Sequence, residues 1–365
     1  MINNMWLGVR RYVVIYEISV LGVLTPHYYK NEEVENMTKD QVLLLLKQAN
    51  EYLSGETMSK EIGVSRAAIH TAVKKLRSDG YEIESVTNKG YRLVNSLDCL
   101  TKGEILSFLS KERKAPLFCH ETIDSTNLRL KKMASEGAES GTVVVANEQT
   151  AGRGRLGRSF VSDKNTGIYL SMLIRPTTGI SHLSEITAWV AVCVARAIEE
   201  VTGVKPGIKW VNDVVINKKK VCGILTELSV EAESGAIQHV VVGIGINVHN
   251  KISDFPEEIR NIASSVDEET NLCVNRAKLA AALIENLDEM FWVWPNNKEL
   301  YLKYYREQCV TTGKQVRLLK SSEEQQGFAI DVTDDFHLLV KMEDGQEAEI
   351  SSGEVSVRGM YNYID

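Results

Sequence analysis

The residues best suited to chemistry lie in a glycine- and arginine-rich segment, E-Q-T-A-G-R-G-R-L-G-R, at positions 148–158. Its last seven residues hold three glycines and three arginines. This is a poor core element, because glycine weakens helices and strands and arginine is seldom buried unpaired. We predict a loop whose backbone approaches a ligand closely and whose guanidinium groups match phosphate or carboxylate oxygens. A solvated basic loop is the alternative.

Four further clusters could contribute to the same site, although each one alone is a weak signal. They are T-I-D-S-T-N at 122–127, K-W-V-N-D at 209–213, K-K-K-V-C-G-I-L at 218–225 and G-I-G-I-N at 243–247. A lysine run before a strand is usually a solvated hairpin tip, and Asp, Ser, Thr and Asn residues are also common helix caps. Glycine at a strand end indicates close approach by a ligand or another backbone. The arginine-rich segment at 148–158 is neither a dinucleotide fingerprint nor a P-loop.

The N-terminal elements predict a helix-turn-helix. Residues 41–49 begin one helix, residues 55–57 break the pattern, and residues 59–62 form a second, short helix. Ser65 is expected to cap a third helix that ends near Gly80. In that helix one apolar stripe, spaced i, i+3, i+4 and i+7, faces a core: Ile69, Ala72, Val73 and Leu76.

A hairpin follows, with its turn at residues 88–90, and completes a winged helix-turn-helix. Residues 37–95 hold nine Lys or Arg and seven Asp or Glu, a net charge of +2, whereas the whole chain carries −7. DNA contact must therefore be local, through the third helix and the wing. A solvated charged face is the alternative for the helix residues. The predicted DNA-binding residues are Ser65, Arg66, His70, Lys74, Arg77 and Lys89, with Arg92 near the wing tip.

The remainder of the chain predicts two more domains. From about residue 115, apolar strands alternate with helices, including strands at 142–146, 167–174, 208–211, 221–228 and 239–248 and a helix at 183–201, which is typical of a mixed α+β domain. Residues 315–357 read as short strands with turns at 334–335 and 344–345. The predicted domain boundaries are 1–36 for an extension of uncertain role, then 37–95, 96–311 and 312–365.

Composition sets wider limits. At 365 residues the chain exceeds the usual size of one hydrophobic core. Its six cysteines include no C-x-x-C pair, which favours reduced thiols and a cytoplasmic location. The apolar run from Tyr12 to Leu24 is shorter than the ~20 residues of a spanning helix and contains Glu17, so no membrane association is expected. A signal peptide is not favoured, because no A-x-A-like site follows, and Met37 is interpreted as the natural start.

Taken together, the five clusters resemble the biotin protein ligases, specifically the bifunctional kind that also represses the biotin operon. The resemblance extends from about Met37 to Arg358, and its most specific parts are the G-R-G-R-x-G-R loop and the K-W-x-N-D motif. It implies an α+β multidomain fold: an N-terminal winged helix-turn-helix, a central mixed α/β domain of the biotin/lipoate ligase type, and a small C-terminal SH3-like β barrel.

The resemblance also implies a reaction. The carboxylate of biotin attacks the α-phosphate of ATP, which gives biotinyl-5′-adenylate and pyrophosphate, and a lysine of a biotin carboxyl carrier protein then expels AMP. Mg²⁺ is expected as the counter-ion of ATP, without a dedicated protein metal site. Ligand binding is expected to order the arginine loop and favour a homodimer that binds a palindromic operator.

Site residues follow from the resemblance position by position. Lys220 is the implied cation between the biotin carboxylate and the α-phosphate, and Asp213 is expected to orient the acceptor lysine. The implied catalytic residues are Lys220, Arg153, Arg155 and Asp213. The implied biotin-binding residues are Ser125, Thr126, Asn127, Gln149, Gly152, Arg153, Gly154, Arg155, Lys220 and Gly223. The implied ATP-binding residues are Arg155, Arg158, Asn212 and Asn247.

Two positions depart from the family pattern. Val211 stands where the family usually has proline, and Phe160 stands where relatives often place tryptophan. Two other functions remain open: a ligand-sensing transcription factor without ligase activity, and a ligase for lipoate or another acyl group. The complete arginine loop and Lys220 argue against the first, and the N-terminal wing with this loop pattern argues against the second.

Overall fold

The computed structural model describes residues 12–18, 24–49, 51–111, 113–176, 185–230, 237–320, 323–351, 356–359 and 363–364, and their side chains from residue 37 onward apart from those of 320, 323, 356 and 358. The chain divides into two compact units, Met1–Ser107 and Phe108–Asp365.

The first unit combines short helices with two hairpins. Its helices are α1 (Asn31–Gln48), α2 (Gly55–Ile62), α3 (Arg66–Ser78) and α4 (Lys102–Phe108). Its strands are β1 (Tyr12–Ile18) and β2 (Leu24–Lys30), which pair antiparallel, and β3 (Glu82–Val86) and β4 (Gly90–Asn95), which form the wing. Part of the predicted N-terminal extension is thus a hairpin, which the sequence analysis did not anticipate.

Helix α3 forms as predicted. The Ser65 hydroxyl accepts a hydrogen bond from the Ala68 amide at 3.1 Å, which satisfies a donor that the first helical turn leaves open. All four residues of the predicted stripe are buried in the core of this unit, together with Met58 of α2 and Val42 of α1. The residues on the opposite side of α3 remain exposed to solvent.

The start of α2 differs from the prediction. The helix begins at Gly55 rather than after a break at residues 55–57, because the Ser54 hydroxyl accepts from the Thr57 amide at 3.0 Å and caps the first turn. The wing turn is where it was predicted. Its Gly90 has φ +112°, and a Cβ there would lie 2.2 Å from the Leu53 carbonyl oxygen, so only glycine fits.

The second unit is built on a seven-stranded sheet with the order β5-β6-β7-β11-β10-β9-β8. Among the strands that the structure describes in this sheet, β5 and β6 pair parallel and the other neighbours pair antiparallel. The strands are β5 (Leu117–Ile123), β6 (Val143–Gln149), β7 (Gly167–Ile174), β8 (Gly207–Lys209), β9 (Asp213–Ile216), β10 (Lys219–Val230) and β11 (Ile237–Asn247). The helices are α5 (Thr126–Ser135), α6 (Ile186–Thr202), α7 (Val266–Thr270), α8 (Arg276–Val293) and α9 (Lys298–Gln308).

Four of the five strands predicted for this domain are present, and the prediction of a single strand at 208–211 was wrong. Instead of a single strand at 208–211, the chain forms β8, a turn that contains a cis peptide bond between Trp210 and Val211, and then β9. Strand β9 has four residues and was missed, since a strand of that length leaves little periodicity to read. Helix α6 lies in the core, where Trp189 stacks on Tyr301 with ring centroids 4.1 Å apart.

A second, five-stranded antiparallel sheet closes the unit, with the order β15-β14-β13-β12-β16. Its strands are β12 (Lys314–Lys320), β13 (Glu323–Val332), β14 (Leu338–Met342), β15 (Glu347–Ile350) and β16 (Ser356–Gly359). The predicted turns at 334–335 and 344–345 are present. The sheet is compatible with the predicted SH3-like barrel, and the barrel itself stays a prediction.

The two sheets of this unit are joined through the K-W-V-N-D segment. The Trp210 indole donates to the Phe336 carbonyl at 2.9 Å, and the Trp210 amide donates to the Thr311 hydroxyl, also at 2.9 Å. The Lys209 ammonium donates to the Val357 carbonyl at 2.9 Å. The turn between β8 and β9 is therefore held in place by the C-terminal sheet. No helix among the described residues reaches the length and apolarity that a membrane crossing requires.

Candidate active site

A cleft brings residues of all five sequence clusters together, among them four residues of the arginine segment. It lies between the start of α5, the loop after β6, and strands β10 and β11. The lining residues are Ser125, Thr126, Asn127, Gln149, Arg153, Gly154, Arg155, Phe160, Asn212, Lys220, Gly223, Ile224, Leu225, Gly243, Ile244 and Gly245.

One wall of the cleft is a network of uncharged polar side chains at the start of α5. The parallel pairing of β5 with β6 places Ile123 opposite Gln149, so the ends of both strands meet at the same edge. The Gln149 side-chain oxygen accepts from the Thr126 amide at 2.9 Å and from its hydroxyl at 3.1 Å. The Ser125 hydroxyl does not cap the helix. These groups can orient a polar ligand without adding charge.

Asn127 connects this wall to the sheet. Its amide nitrogen donates to Glu227 at 2.7 Å, and Glu227 also pairs with the Lys131 ammonium at 2.5 Å. Burial acts to raise the pKa of Glu227, but the bonds from Lys131 and Asn127 outweigh it and hold the pKa below its ordinary value. A Cβ on Gly243 would lie 2.2 Å from the Asn127 side-chain oxygen, so glycine is required for this close approach.

The arginine segment is a loop, as its composition predicts, and it is closed by its own backbone. The Gly154 amide donates to the Arg158 carbonyl at 2.7 Å, and the Phe160 amide donates to the Gly152 carbonyl at 3.0 Å. Between them, residues Arg155–Gly157 form a short 3-10 turn, with Leu156 78% exposed. The Arg155 guanidinium donates to the Asn212 side-chain oxygen at 2.9 Å, which ties the loop to the K-W-V-N-D segment.

Phe160 lies on the glycine floor of the cleft. A Cβ on Gly245 would come within 2.5 Å of its ring, and a Cβ on Gly223 would lie 3.4 Å from it. The ring packs edge-on against Tyr169, with centroids 6.5 Å apart. An aromatic ring therefore already covers part of the floor.

The charged end of the cleft is built around Asp213, which is only 8% exposed. Its Oδ1 accepts from the Lys220 ammonium at 2.6 Å, and its Oδ2 accepts from the Tyr363 hydroxyl. Lys209 is also buried nearby. Burial acts to raise the pKa of Asp213, but the ammonium groups of Lys220 and Lys209 outweigh it, so the pKa lies below its ordinary value. Asp213 is thus a carboxylate that fixes the lysine.

The structure does not bring every predicted residue into the cleft. Gly152 lies behind the lining, where a Cβ would meet the Phe160 carbonyl oxygen at 2.5 Å. Arg158 is exposed. Asn247 is buried and donates to the Ser264 carbonyl at 3.0 Å. Asp213 does not line the cleft and reaches it through its hydrogen bonds with Lys220 and Asn212, which both do. The roles of these residues remain predictions.

Several residues of the site were missed by the sequence analysis. Ser171 lies within 2.7 Å of the Thr126 hydroxyl and 2.5 Å of the Asn127 side-chain oxygen, and it is the lone polar residue of a strand that is otherwise buried and apolar or glycine. That pattern was a usable signal, because buried polar groups need partners. Glu227, Lys131 and Tyr363 carried no comparable signal in the sequence.

A second candidate interface lies on the first unit. All six predicted DNA-binding residues are exposed. Arg77, however, donates to the Ser85 hydroxyl at 2.6 Å and to the Ile83 carbonyl at 3.0 Å, so it braces α3 against the wing. At the wing, Lys89 and Arg92 lie 5.9 Å and 4.9 Å from the Tyr52 ring centroid.

Comparisons with known proteins agree with this arrangement. The family described as the biotin/lipoate A/B protein ligase family matches residues 119–247, and a family described as an HTH domain matches residues 38–92. The chain is 38% identical to the bifunctional ligase/repressor BirA of Bacillus subtilis, over 66% of this chain and 74% of the relative. It is 29% identical to the protein of that name from Escherichia coli, over 87% and 96% of the two chains.

Among solved structures, biotin protein ligase from Aquifex aeolicus in complex with biotin and ATP is 31% identical, with a TM-score of 0.59, and the match covers 67% of this chain and 99% of that one. The ligase match runs from β5 to β11 and so includes the strands that carry the cleft. With nearly an entire ligase structure accounted for and a helix-turn-helix matched separately, the chain belongs to the biotin protein ligase family, in the branch that carries a DNA-binding domain.

Proposed function

We propose that this protein joins biotin to a lysine of a biotin carboxyl carrier protein and represses transcription when its ligand is bound. The observation that supports the ligase activity is the Lys220 ammonium, which faces the cleft while Asp213 holds it at 2.6 Å. Two anions, a carboxylate and a nucleotide phosphate, must meet in such a site, and a fixed cation lowers the cost of bringing them together.

In the first half-reaction the biotin carboxylate attacks the α-phosphorus of ATP, and the bond from that phosphorus to the bridging oxygen of pyrophosphate breaks. An ammonium group has three N–H donors, so Lys220 keeps its bond to Asp213 and still donates to the reacting oxygens. In the second half-reaction a carrier lysine attacks the carbonyl of the anhydride, loses a proton and expels AMP. Asp213 is the proposed guide for that lysine.

The uncharged wall is proposed to bind biotin, and the arginine loop is proposed to cover the bound ligands. Ser125, Thr126, Asn127 and Gln149 offer the hydrogen-bonding groups that a ureido ring requires. Arg153, Arg155 and Asn212 line the cleft. Asn212 is proposed for the nucleotide side, together with Asn247 and Arg158, which lie outside the lining. Closure of the loop protects the anhydride from water.

Mg²⁺ enters this proposal with ATP, where it screens the phosphate charges. Across the part of the chain that the structure describes, no three His, Cys, Asp or Glu side chains converge to hold a metal ion. The ATP phosphates themselves would therefore supply most ligands for the ion. A cytoplasmic location agrees with the use of ATP as a substrate. It also agrees with the cysteines, because all six are free thiols.

Repression follows from the winged helix-turn-helix. The exposed residues Arg66, His70 and Lys74 lie on the face of α3 that a major groove can accept, while the wing offers Lys89 to phosphates. We propose a homodimer that forms when the adenylate orders the arginine loop, because a two-fold dimer matches a palindromic operator. The ligand then serves as both reaction intermediate and corepressor.

A release assay tests the ligase activity against the two other functions. Incubation with biotin and ATP should release pyrophosphate, whereas a sensor without ligase activity would release none. For Lys220→Ala we expect release to fall at least about a hundredfold with the fold intact, because one preorganised donor to a developing charge is lost. Lys219→Ala is the matched control, since that ammonium binds the Asn261 carbonyl instead. If lipoate and ATP released pyrophosphate and biotin and ATP did not, the substrate would be lipoate rather than biotin.

The arginine loop gives a second prediction. Arg155→Gly removes the bond to Asn212 and should let biotinyl-adenylate escape, so that lysines of an unrelated protein become biotinylated. The measurement is free adenylate after rapid filtration, with labelled ATP. Leu156→Gly is the control. It also introduces a glycine into this loop, but it removes an exposed leucine side chain instead of a guanidinium. Equal retention by Arg155→Gly and the parent would remove this role from Arg155.

DNA binding gives the third prediction. A gel shift with operator-containing DNA should show tighter binding in the presence of biotin and ATP than without them. Lys74→Ala should weaken binding and reduce the salt slope by about one, because one phosphate contact is lost. Lys303→Ala, an exposed lysine on α9, should leave both unchanged. Binding that ignores biotin and ATP would contradict the proposed coupling.

A further inference from the structure

The C-terminal end of the chain reaches the charged end of the cleft. Tyr363 follows the last strand of the C-terminal sheet, and its hydroxyl donates to Asp213 Oδ2. Asp213 in turn holds the Lys220 ammonium through Oδ1 at 2.6 Å. A residue 150 positions away in the sequence thus lies two hydrogen bonds from the proposed catalytic cation.

The contact fixes the rotation of the carboxylate. Oδ1 accepts from the Lys220 ammonium and, at 3.2 Å, from the side-chain nitrogen of Asn212. Oδ2 accepts from the Tyr363 hydroxyl. The terminal torsion of aspartate has a broad energy minimum, so a carboxylate bonded through one oxygen can rotate and take its partner with it. With both oxygens bonded, the direction in which Asp213 presents Lys220 to the cleft is set.

The tyrosine ring is itself held in place. The Lys209 ammonium lies 4.2 Å from the ring centroid, at cation–π distance, and donates to the Val357 carbonyl of β16 at 2.9 Å. Lys209 therefore contacts the ring and the strand that precedes it at the same time. The place of the Tyr363 hydroxyl depends on the C-terminal sheet as well as on the K-W-V-N-D segment.

We propose that Tyr363 is a positioning residue for adenylation, which through Asp213 fixes where the Lys220 ammonium stands between the two reacting anions. This inference rests on the proposed ligase function. It gives the C-terminal segment a part in the first half-reaction, although none of the residues described in that segment lines the cleft. The catalytic group remains Lys220, and Tyr363 acts on it only through Asp213.

The proposal has a pH signature. Removal of the hydroxyl leaves one oxygen of a buried carboxylate without this donor, which favours the protonated form. Asp213 in the variant should then take up a proton at a higher pH than in the parent, and protonated Asp213 no longer holds Lys220. The titratable groups that face Asp213 are Lys220, Lys209, Tyr305 and Cys222. Burial raises the pKa values of Tyr305 and Cys222, so both stay neutral during the measurement.

The experiment compares Tyr363→Phe with the parent chain in pyrophosphate release from biotin and ATP, as a function of pH. We expect kcat to fall about tenfold or more, as for loss of a hydrogen bond to a charged group, with the KM for biotin unchanged. The acid limb of the kcat profile should move upward by about one pH unit. Tyr304→Phe is the control, because its hydroxyl also donates to a carboxylate, Glu199 at 2.8 Å, and not to Asp213.

A double-mutant cycle keeps the test independent of small changes in stability. If Tyr363 acts through Asp213, then Tyr363→Phe in an Asp213→Asn background should cause no further loss of kcat and no shift of the acid limb. Losses that multiply, or a parental kcat and acid limb in Tyr363→Phe, would overturn the inference while leaving the ligase function standing. A parent chain that releases no pyrophosphate would instead overturn the proposed function.

Discussion

The need to hold positive charge beside a buried carboxylate governs the candidate active site. Asp213 is almost fully buried, and a buried anion is stable only when it is paired. The structure surrounds it with two ammonium groups, from Lys220 and Lys209, so the cluster keeps one positive charge in excess. Glu227 is already neutralised by Lys131. The local balance favours anionic ligands even though the whole chain carries a net charge of −7.

The cluster depends on contacts that join distant parts of the second unit. The turn between β8 and β9 supplies Trp210, whose indole binds the Phe336 carbonyl, and Lys209, which binds the Val357 carbonyl. Both acceptors belong to the C-terminal sheet region. The arginine loop reaches the same turn through the bond from Arg155 to Asn212. Three regions of the chain therefore meet at five consecutive residues, and the position of each region limits that of the other two.

The sequence predicted the parts of this arrangement that local patterns determine. Ser65 predicted the start of α3, because serine is a favoured N-cap residue, and the composition of the arginine segment predicted a loop. Resemblance selected ten of the residues that line the cleft. Strand β9 and the Tyr363 contact were missed for a different reason. A strand of four residues has almost no periodicity. A hydrogen bond between residues 150 positions apart produces no pattern in the sequence around Asp213 or around Tyr363.

The same contacts explain how a ligand could be sensed far from the cleft. Arg155 faces inward to Asn212, whereas Leu156 and Arg158 of the same short turn are exposed. A ligand that draws Arg155 toward a phosphate would compete with Asn212 for its guanidinium, and Leu156 and Arg158, which belong to the same backbone-bonded loop, would move with Arg155. In the proposed homodimer, this exchange of hydrogen-bond partner would change the exposed apolar and charged groups that a second copy meets.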